Sequence, residues 1–326
     1  MIVVSYGGGT DSTAMLIEAH RQGIRPDLIL FADTGSEMPH TYAYLPIIGE
    51  WLARVGFPEI QIVRSPRKAL HLDCVDKNTL PSAAFGFAGC TEPWKQRPLE
   101  KAVAADPGVI AAIARGETVE RWLGYDATEG SRVANIAHKP PPYKWRAPLH
   151  EWDIARSDCR EIIKAAGLPQ PGKSACFICP NMRGWEVDKM AAEYPELAQV
   201  ALTIEDNAVR LTIETPDMKH QGLGRGTKGM RWSEWLKRPK QMDIFNREED
   251  DGEAMPCGCH DRRVVRAVVM GRQKPYRPQP SWLTPWYDQL GTRPHAEIAR
   301  EAGVSQSTVY QMAARKAGKE LRSLLR

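Results

Sequence analysis

Ile2-Val3-Val4-Ser5-Tyr6-Gly7-Gly8-Gly9-Thr10-Asp11-Ser12, at the start of a 326-residue chain, changes character twice. Ile2 to Ser5 is a short β-branched run of the kind that forms a buried strand, and it gives way to three consecutive glycines. From Asp11 to Gln22 the pattern is helical, with Ala14, Met15, Ile17 and Ala19 favouring one side. Strand, glycine loop and helix in that order let backbone amides approach a ligand and aim a helix N-terminus at an anion. The loop therefore reads as a phosphate site, with Ser5, Tyr6, Gly7, Gly8, Gly9, Thr10, Asp11 and Ser12 as its nucleotide-binding residues. The alternative is a plain glycine turn whose helix Asp11 and Ser12 cap. The loop is neither GxxxxGK[ST], since no Lys precedes the hydroxyl residue, nor GxGxxG, since Asp11 stands near the decisive turn.

Moving outward, Asp27 to Ala32 reads as a second buried strand, His40 to Val55 as a helix, Glu59 to Val63 as a third strand and Val119 to Tyr125 as a fourth. Asp158 to Ala166 reads as a later helix ended by Gly167. Alternation of this kind predicts an α/β fold, a parallel sheet with flanking helices, over residues 1–215. No stretch approaches the roughly 18 unbroken apolar residues of a membrane span, and 42% hydrophobic with 26% charged residues excludes a disordered chain. No basic segment precedes an apolar run at the start, so the expected location is the cytoplasm. Charge is uneven: residues 219–326 hold 21 Lys and Arg against 12 Asp and Glu, which leaves the first 218 residues at −5 of the overall +4. A basic C-terminal third is the footprint of a nucleic-acid contact, although such tails also serve solubility. The Pro-rich runs 139–142 and 274–280 read as linkers or rigid loops, and Gly222 to Gly229 as a flexible basic loop.

These residues resemble the PP-loop ATP pyrophosphatases, in particular the phosphoadenosine-phosphosulfate (PAPS) reductase-like and DndC-like branch often met in phage genomes. The family loop reads roughly S-F-S-G-G-K-D-S; Ser5, Gly8, Gly9, Asp11 and Ser12 match it, while Gly7 replaces the second serine and Thr10 the lysine. Further matches are Phe31 to Glu37, Cys90 to Lys95, Gly124 to Glu129 with Arg132, and Ser174 to Pro180, so the likeness covers about residues 1–185. The resemblance implies an adenine nucleotide alpha hydrolase-like fold that cleaves ATP between the α and β phosphates. Such an enzyme adenylates an acceptor or, in the reductases, binds a preformed adenylyl sulfate. It implies nucleotide contacts from Asp33, Thr34 and Gly35 at the end of the second strand, where parallel sheets collect ligands. It also implies catalytic roles for Asp11, Ser12, Lys95 and Arg132, the two cations offsetting phosphate charge. Each of the two cations, taken alone, also fits a solvated surface position, and Asp33 a turn carboxylate. ATP with Mg²⁺ is the implied cofactor set, and the host cytoplasm the location if the chain is phage-encoded.

Seven cysteines on a cytoplasmic chain argue for thiol or metal chemistry over a disulfide framework. Cys176 and Cys179 form a CxxC before Pro180, a spacing that lets two thiolates meet one metal or cluster. In the iron–sulfur adenylyl-sulfate reductases a Cys-Cys pair stands well upstream of a CxxC; here Cys90 precedes Cys176 by 86 residues and has no adjacent cysteine. The resemblance thus implies Cys90, Cys176 and Cys179 as ligands of a [4Fe-4S] cluster, with zinc or a metal-free dithiol as alternatives. The fourth corner is left to Cys74, Cys159, Cys257, Cys259, a water or a substrate sulfur. Cys257-Gly258-Cys259-His260 is a tighter group that suits part of a zinc site or an exposed loop. The reductases also end in a catalytic cysteine within E-C-G-L-H, whereas this sequence ends KELRSLLR.

Residues 281–326 carry a third signal. Pro294 to Tyr310 reads as helix, glycine turn and second helix, with Ile298, Ala299, Val304 and Val309 as a small core. It resembles a helix-turn-helix; Gln306, Ser307 and Tyr310 would face nucleic acid, DNA or RNA, and Arg315 and Lys316 its phosphates. A helical pair used for oligomerisation needs the same turn. The expected organisation is a nucleotide-binding domain at 1–215, a basic extension at 216–280 and a helical module at 281–326. The expected function is ATP-dependent adenylation with sulfur transfer to, or modification of, nucleic acid, with a sulfur-donor protein as a further partner. The alternatives are a thiol-dependent reductase of adenylyl sulfate or PAPS, and a nucleotide-sensing DNA-binding regulator.

Overall fold

The computed structural model describes residues 1–85, 89–136, 139, 141–213, 222–227 and 229–239. The expected helix-turn-helix, with Gln306, Ser307, Tyr310, Arg315 and Lys316, lies outside the described residues, as does Cys257 to His260. The expected domain limits near 215 and 280 fall there too.

Five parallel strands form one sheet in the order β3-β2-β1-β4-β5. They are β1 (Ile2–Tyr6), β2 (Leu28–Asp33), β3 (Ile60–Arg64), β4 (Val119–Leu123) and β5 (Tyr143–Arg146). The chain builds outward from β1 through β2 to β3, then returns to lay β4 on the other side of β1, with Val3 opposite Leu28 in one ladder and Arg121 in the other. The strand order reverses between β1 and β4, and the crevice outside their carboxyl ends is where such sheets bind ligands. Every residue of β2 is buried, as expected for an inner strand covered on both faces. β5 was not foreseen: four residues directly after a Pro-rich run are read more readily as loop than as strand.

Helices α1 (Thr10–Arg21) and α2 (Pro39–Arg54) cover one face together with α8 (Arg156–Ala165), packing Met15, Leu16, Leu52 and Ile163 around Trp122. The other face is covered by α4 (Arg97–Ala105) and α5 (Pro107–Ala114), where Val103, Val109 and Ala112 meet Val3, Leu28, Leu30 and Val119. Between β3 and α4 lie the short α3 (Leu70–Asp76) and a single π-helical turn, Glu92–Gln96, that runs directly into α4. Two short helices, α6 (Gly130–Ile136) and α7 (Pro148–Glu151), bracket β5.

A second core is helical. It joins α3, α9 (Gly184–Glu193), α10 (Pro195–Ile213) and α11 (Trp232–Trp235) around Cys74, Trp94, Cys176, Ile178, Met190, Ile204 and Trp232. The bridge between Glu37 and Cys176 ties this layer to the sheet's carboxyl edge. Residues 222–227, expected to be a flexible loop, are tied down: Leu223 N–H donates to Glu205 at 2.7 Å and Gly226 N–H to the Pro180 carbonyl at 2.7 Å. No helix among the described residues is long and apolar enough to cross a membrane.

Candidate functional site

The loop between β1 and α1 sits at the reversal of strand order. No side chain caps the first turn of α1, whose N-cap is Gly9, so Asp11 and Ser12 are not the plain capping pair that a glycine turn would need. Ser12 instead ties the loop to itself, accepting from Gly7 N–H at 3.2 Å and donating to the Gly9 carbonyl at 3.2 Å. Ser174, before the CxxC, donates to the Gly7 carbonyl. Gly8 has φ +75°, and a side chain there would also press on Thr41 at 2.9 Å. From β4, Gly124 packs so closely that a Cβ would stand 2.9 Å from the backbone of Ser12. These contacts hold the loop open over a cavity of about 180 Å³, with Gly7, Gly9, Thr10, Asp11 and Ser12 along its rim.

Cations crowd this cavity: Lys95, Arg121, Arg132, Lys139, Arg156 and Lys173 line it. Arg156 pairs with Asp11 at 2.7 Å, Lys173 with Glu186 at 2.7 Å, Lys95 with Glu37 at 2.9 Å, and Arg132 with Glu129. Asp11, Asp126 and Glu129 bring one carboxylate oxygen each within 4.8 Å of one another, the one such group of three among the described residues. Burial raises the Asp11 carboxyl to about 6 against the pull of Arg156, and the charges of Asp126 and Glu129 add to the rise. Burial also raises Glu129. Asp11 Oδ1 has no hydrogen-bond partner. Three crowded carboxylates beside a phosphate-sized loop form a donor set that suits a hard divalent cation.

Asp33, Thr34 and Gly35 lie apart from the loop's cavity. Asp33 accepts from Gly35 N–H, Tyr42 hydroxyl and Arg64 at 2.7 Å each. Burial pushes its carboxyl up, but these donors outweigh it and hold it below the usual range. Thr34 faces a smaller pocket of about 30 Å³ that Cys90, Cys176, Cys179 and Lys95 also line. The three cysteines expected to act together are therefore gathered in one place. Because among the described residues only the carboxylate trio brings three ligand atoms within 4.8 Å, these three thiols do not converge on a point as they would around one zinc, whose ~2.3 Å bonds draw thiolates closer. Burial pushes Cys179 up to about 11 and Cys176 well above its ordinary value, so both are thiols in the metal-free protein. Of the fourth-corner candidates, Cys74 belongs to the same helical core, whereas Cys159 belongs to the separate core between α1, α8 and the sheet.

Lys95 lines both pockets. Burial works against its charge, and the carboxylate of Glu37, as a neighbouring charge and as a hydrogen-bond acceptor, more than compensates, raising it. Glu37 in turn accepts from the Thr34 hydroxyl at 3.0 Å and from the Cys176 thiol at 3.6 Å. One chain of contacts thus runs from the loop's cavity to the cysteines. Sequence reasoning missed Arg156 and Lys173 at the rim and Arg121 inside. The signal for Arg121 was its place between Val119 and Leu123 on an alternating strand, which puts a charge on a covered face. No family model matches the chain, and no curated protein sequence matches it.

Proposed function

We propose that the chain is a Mg²⁺-dependent nucleotide enzyme that cleaves ATP between the α and β phosphates and adenylates an acceptor, with sulfur transfer to, or modification of, nucleic acid as the purpose. The observation that carries this reading is the Gly7–Ser12 loop on a cation-lined cavity at the point where the strand order reverses, with Asp11 both lining that cavity and belonging to the carboxylate trio. In this reading loop amides and Arg132 hold the β and γ phosphates, and Lys95 faces the charge that develops as pyrophosphate leaves. Asp11, Asp126 and Glu129 would hold Mg²⁺, which neutralises phosphate charge when bound. The resemblance to the PP-loop ATP pyrophosphatases, with their adenine nucleotide alpha hydrolase-like fold, favours α–β cleavage over loss of the γ phosphate.

The thiol pocket supports the sulfur side. Cys90, Cys176 and Cys179 would supply three ligands to a [4Fe-4S] cluster, whose irons take separate thiolates and so suit a spread donor set better than zinc does. A cluster of that kind supplies an iron able to bind the sulfur being transferred. The test is to incubate the protein anaerobically with ATP, Mg²⁺ and nucleic acid and to follow AMP and pyrophosphate. Their appearance, lost in Ser12→Ala while nucleic-acid affinity is kept, is expected. ADP with phosphate, or no cleavage under any of these conditions, would remove the adenylation reading.

A further inference from the structure

Arg132, Arg156, Lys95 and Lys173 each meet a carboxylate at the edge of the cavity. Arg121 does not. It is 1% exposed, lines the same cavity, and its Nε and Nη1 have no hydrogen-bond partner. No carboxylate stands within 4.0 Å of it among the described residues. Two aromatic rings lie against it, its guanidinium being 4.7 Å from the centre of the Trp145 ring and 5.4 Å from that of Tyr143, and Glu100, which lines the same cavity, acts on it only as a more distant charge. Those rings fix the position of the guanidinium without using its N–H groups. The cost shows in its acidity, since burial lowers the affinity of Arg121 for its proton.

A second polar group on the same face shares this condition. Val3 stands opposite Arg121 and Ser5 opposite Leu123 in the β1–β4 ladder, so Ser5 is one pleat further along the neighbouring strand. The Ser5 hydroxyl is buried, lines the cavity and has no partner. From Val3, level with Arg121, to Gly7 the strand advances by about 13 Å, so Arg121 is rooted well below the glycine loop. A buried planar fork of N–H donors with an unused hydroxyl near it suits a two-oxygen acceptor.

We propose that Arg121, with Ser5, which lies within β1 and so leaves the phosphate site of the glycine loop to residues 7–12, is a receptor for an oxyanion, a carboxylate or a phosphate group, separate from the anion that the loop would take. The group belongs either to the far end of a nucleotide or to the second substrate. The site shares its cavity with the nucleotide reading but rests on Arg121 and Ser5 alone.

The test is calorimetric titration of the full chain with ATP, and with inorganic phosphate or succinate before and after saturation with ATP, for wild type, Arg121→Met and Arg121→Lys. If the oxyanion comes from a second substrate, phosphate or succinate binds the ATP-saturated wild type and about tenfold or more weaker to Arg121→Met. If it belongs to the nucleotide, ATP itself weakens by a similar factor and the small anions compete with it. Arg121→Lys keeps the charge without the fork and is expected to fall between the two, which covers a Met variant that fails to fold. Anion binding lost in the variants while wild type binds no ATP would sink the nucleotide reading and leave this one standing. Equal binding of ATP, phosphate and succinate by all three proteins, with Arg121→Met melting lower than wild type, would make Arg121 a structural clamp for β5 and overturn the proposal.

Discussion

Asp11 stands at the start of α1, where the helix dipole favours a negative charge, yet its carboxyl is raised to about 6. Burial and the carboxylates of Asp126 and Glu129 outweigh both the dipole and the Arg156 partner. An acid whose folded value lies above its unfolded value of 3.8 binds more protons folded than unfolded between those two pH values. In the absence of divalent cations, the contribution of Asp11 to stability is therefore best below pH 4 and is lost as pH rises through about 6. Asp11→Asn removes that loss, worth at most about 3 kcal/mol and less because Arg156 loses its partner. Denaturant titrations of metal-free protein from pH 5 to 7 should show the wild type losing stability relative to the variant as pH rises. A constant difference across that range would mean that the trio does not raise Asp11. Adding Mg²⁺ should reverse the wild-type trend near neutral pH and leave Asp11→Asn largely unresponsive.

At the scale of elements, some of this molecule is written in short stretches and some only in contacts between them. β1 and α1 were legible because Ile2 to Tyr6 is β-branched, the glycines break it, and a helical stripe follows; the observed Thr10–Arg21 differs from Asp11–Gln22 by one residue at each end. β5 was not, since Tyr143–Arg146 is too short to show a period behind prolines. Asp126 and Glu129 lie in a segment that the sequence marked, but their approach to Asp11 depends on Gly124 packing against the backbone of Ser12, which no spacing reveals. The anchoring of residues 222–227 and 229–239 was equally hidden. It hangs on Glu205, fully buried in α10, which accepts from Leu223 N–H at 2.7 Å, Trp232 N–H at 3.0 Å and Ser233 N–H at 2.8 Å. Glu205→Ala strands three amide donors beside a cavity, two of them in fully buried bonds, and should cost about 3 to 5 kcal/mol. Urea denaturation measures that cost. Limited proteolysis between residues 213 and 239 should quicken in the variant before the rest of the domain is cut, because the loss falls on this segment and not on the sheet. Equal protection in both proteins would mean that Trp232 and its apolar neighbours hold the segment without the carboxylate.

For the molecule as a whole the question is how a cavity in the first 218 residues, net −5, works with a C-terminal third at +9. If that third contacts nucleic acid, its affinity comes largely from phosphates, and each lost phosphate contact should flatten the dependence of log affinity on log salt by about one unit. Arg315→Glu with Lys316→Glu in the full chain should therefore weaken binding to duplex or single-stranded probes and lower that slope by about two, similarly for different sequences. Gln306→Ala should instead change the preference among sequences and leave the slope nearly unaltered, as expected of a residue that meets base edges. Neither change should move ATP affinity measured without nucleic acid, because the loop, the carboxylate trio and Arg121 all belong to the α/β domain. Nucleic acid should, however, raise the rate of AMP formation in wild type and lose that effect in the charge-reversed chain at low probe concentration, with recovery at high concentration. That recovery is the decisive result: it distinguishes a tail that delivers the acceptor to the cavity from one that binds nucleic acid for a separate purpose, in which case AMP formation would not respond to the probe at any concentration.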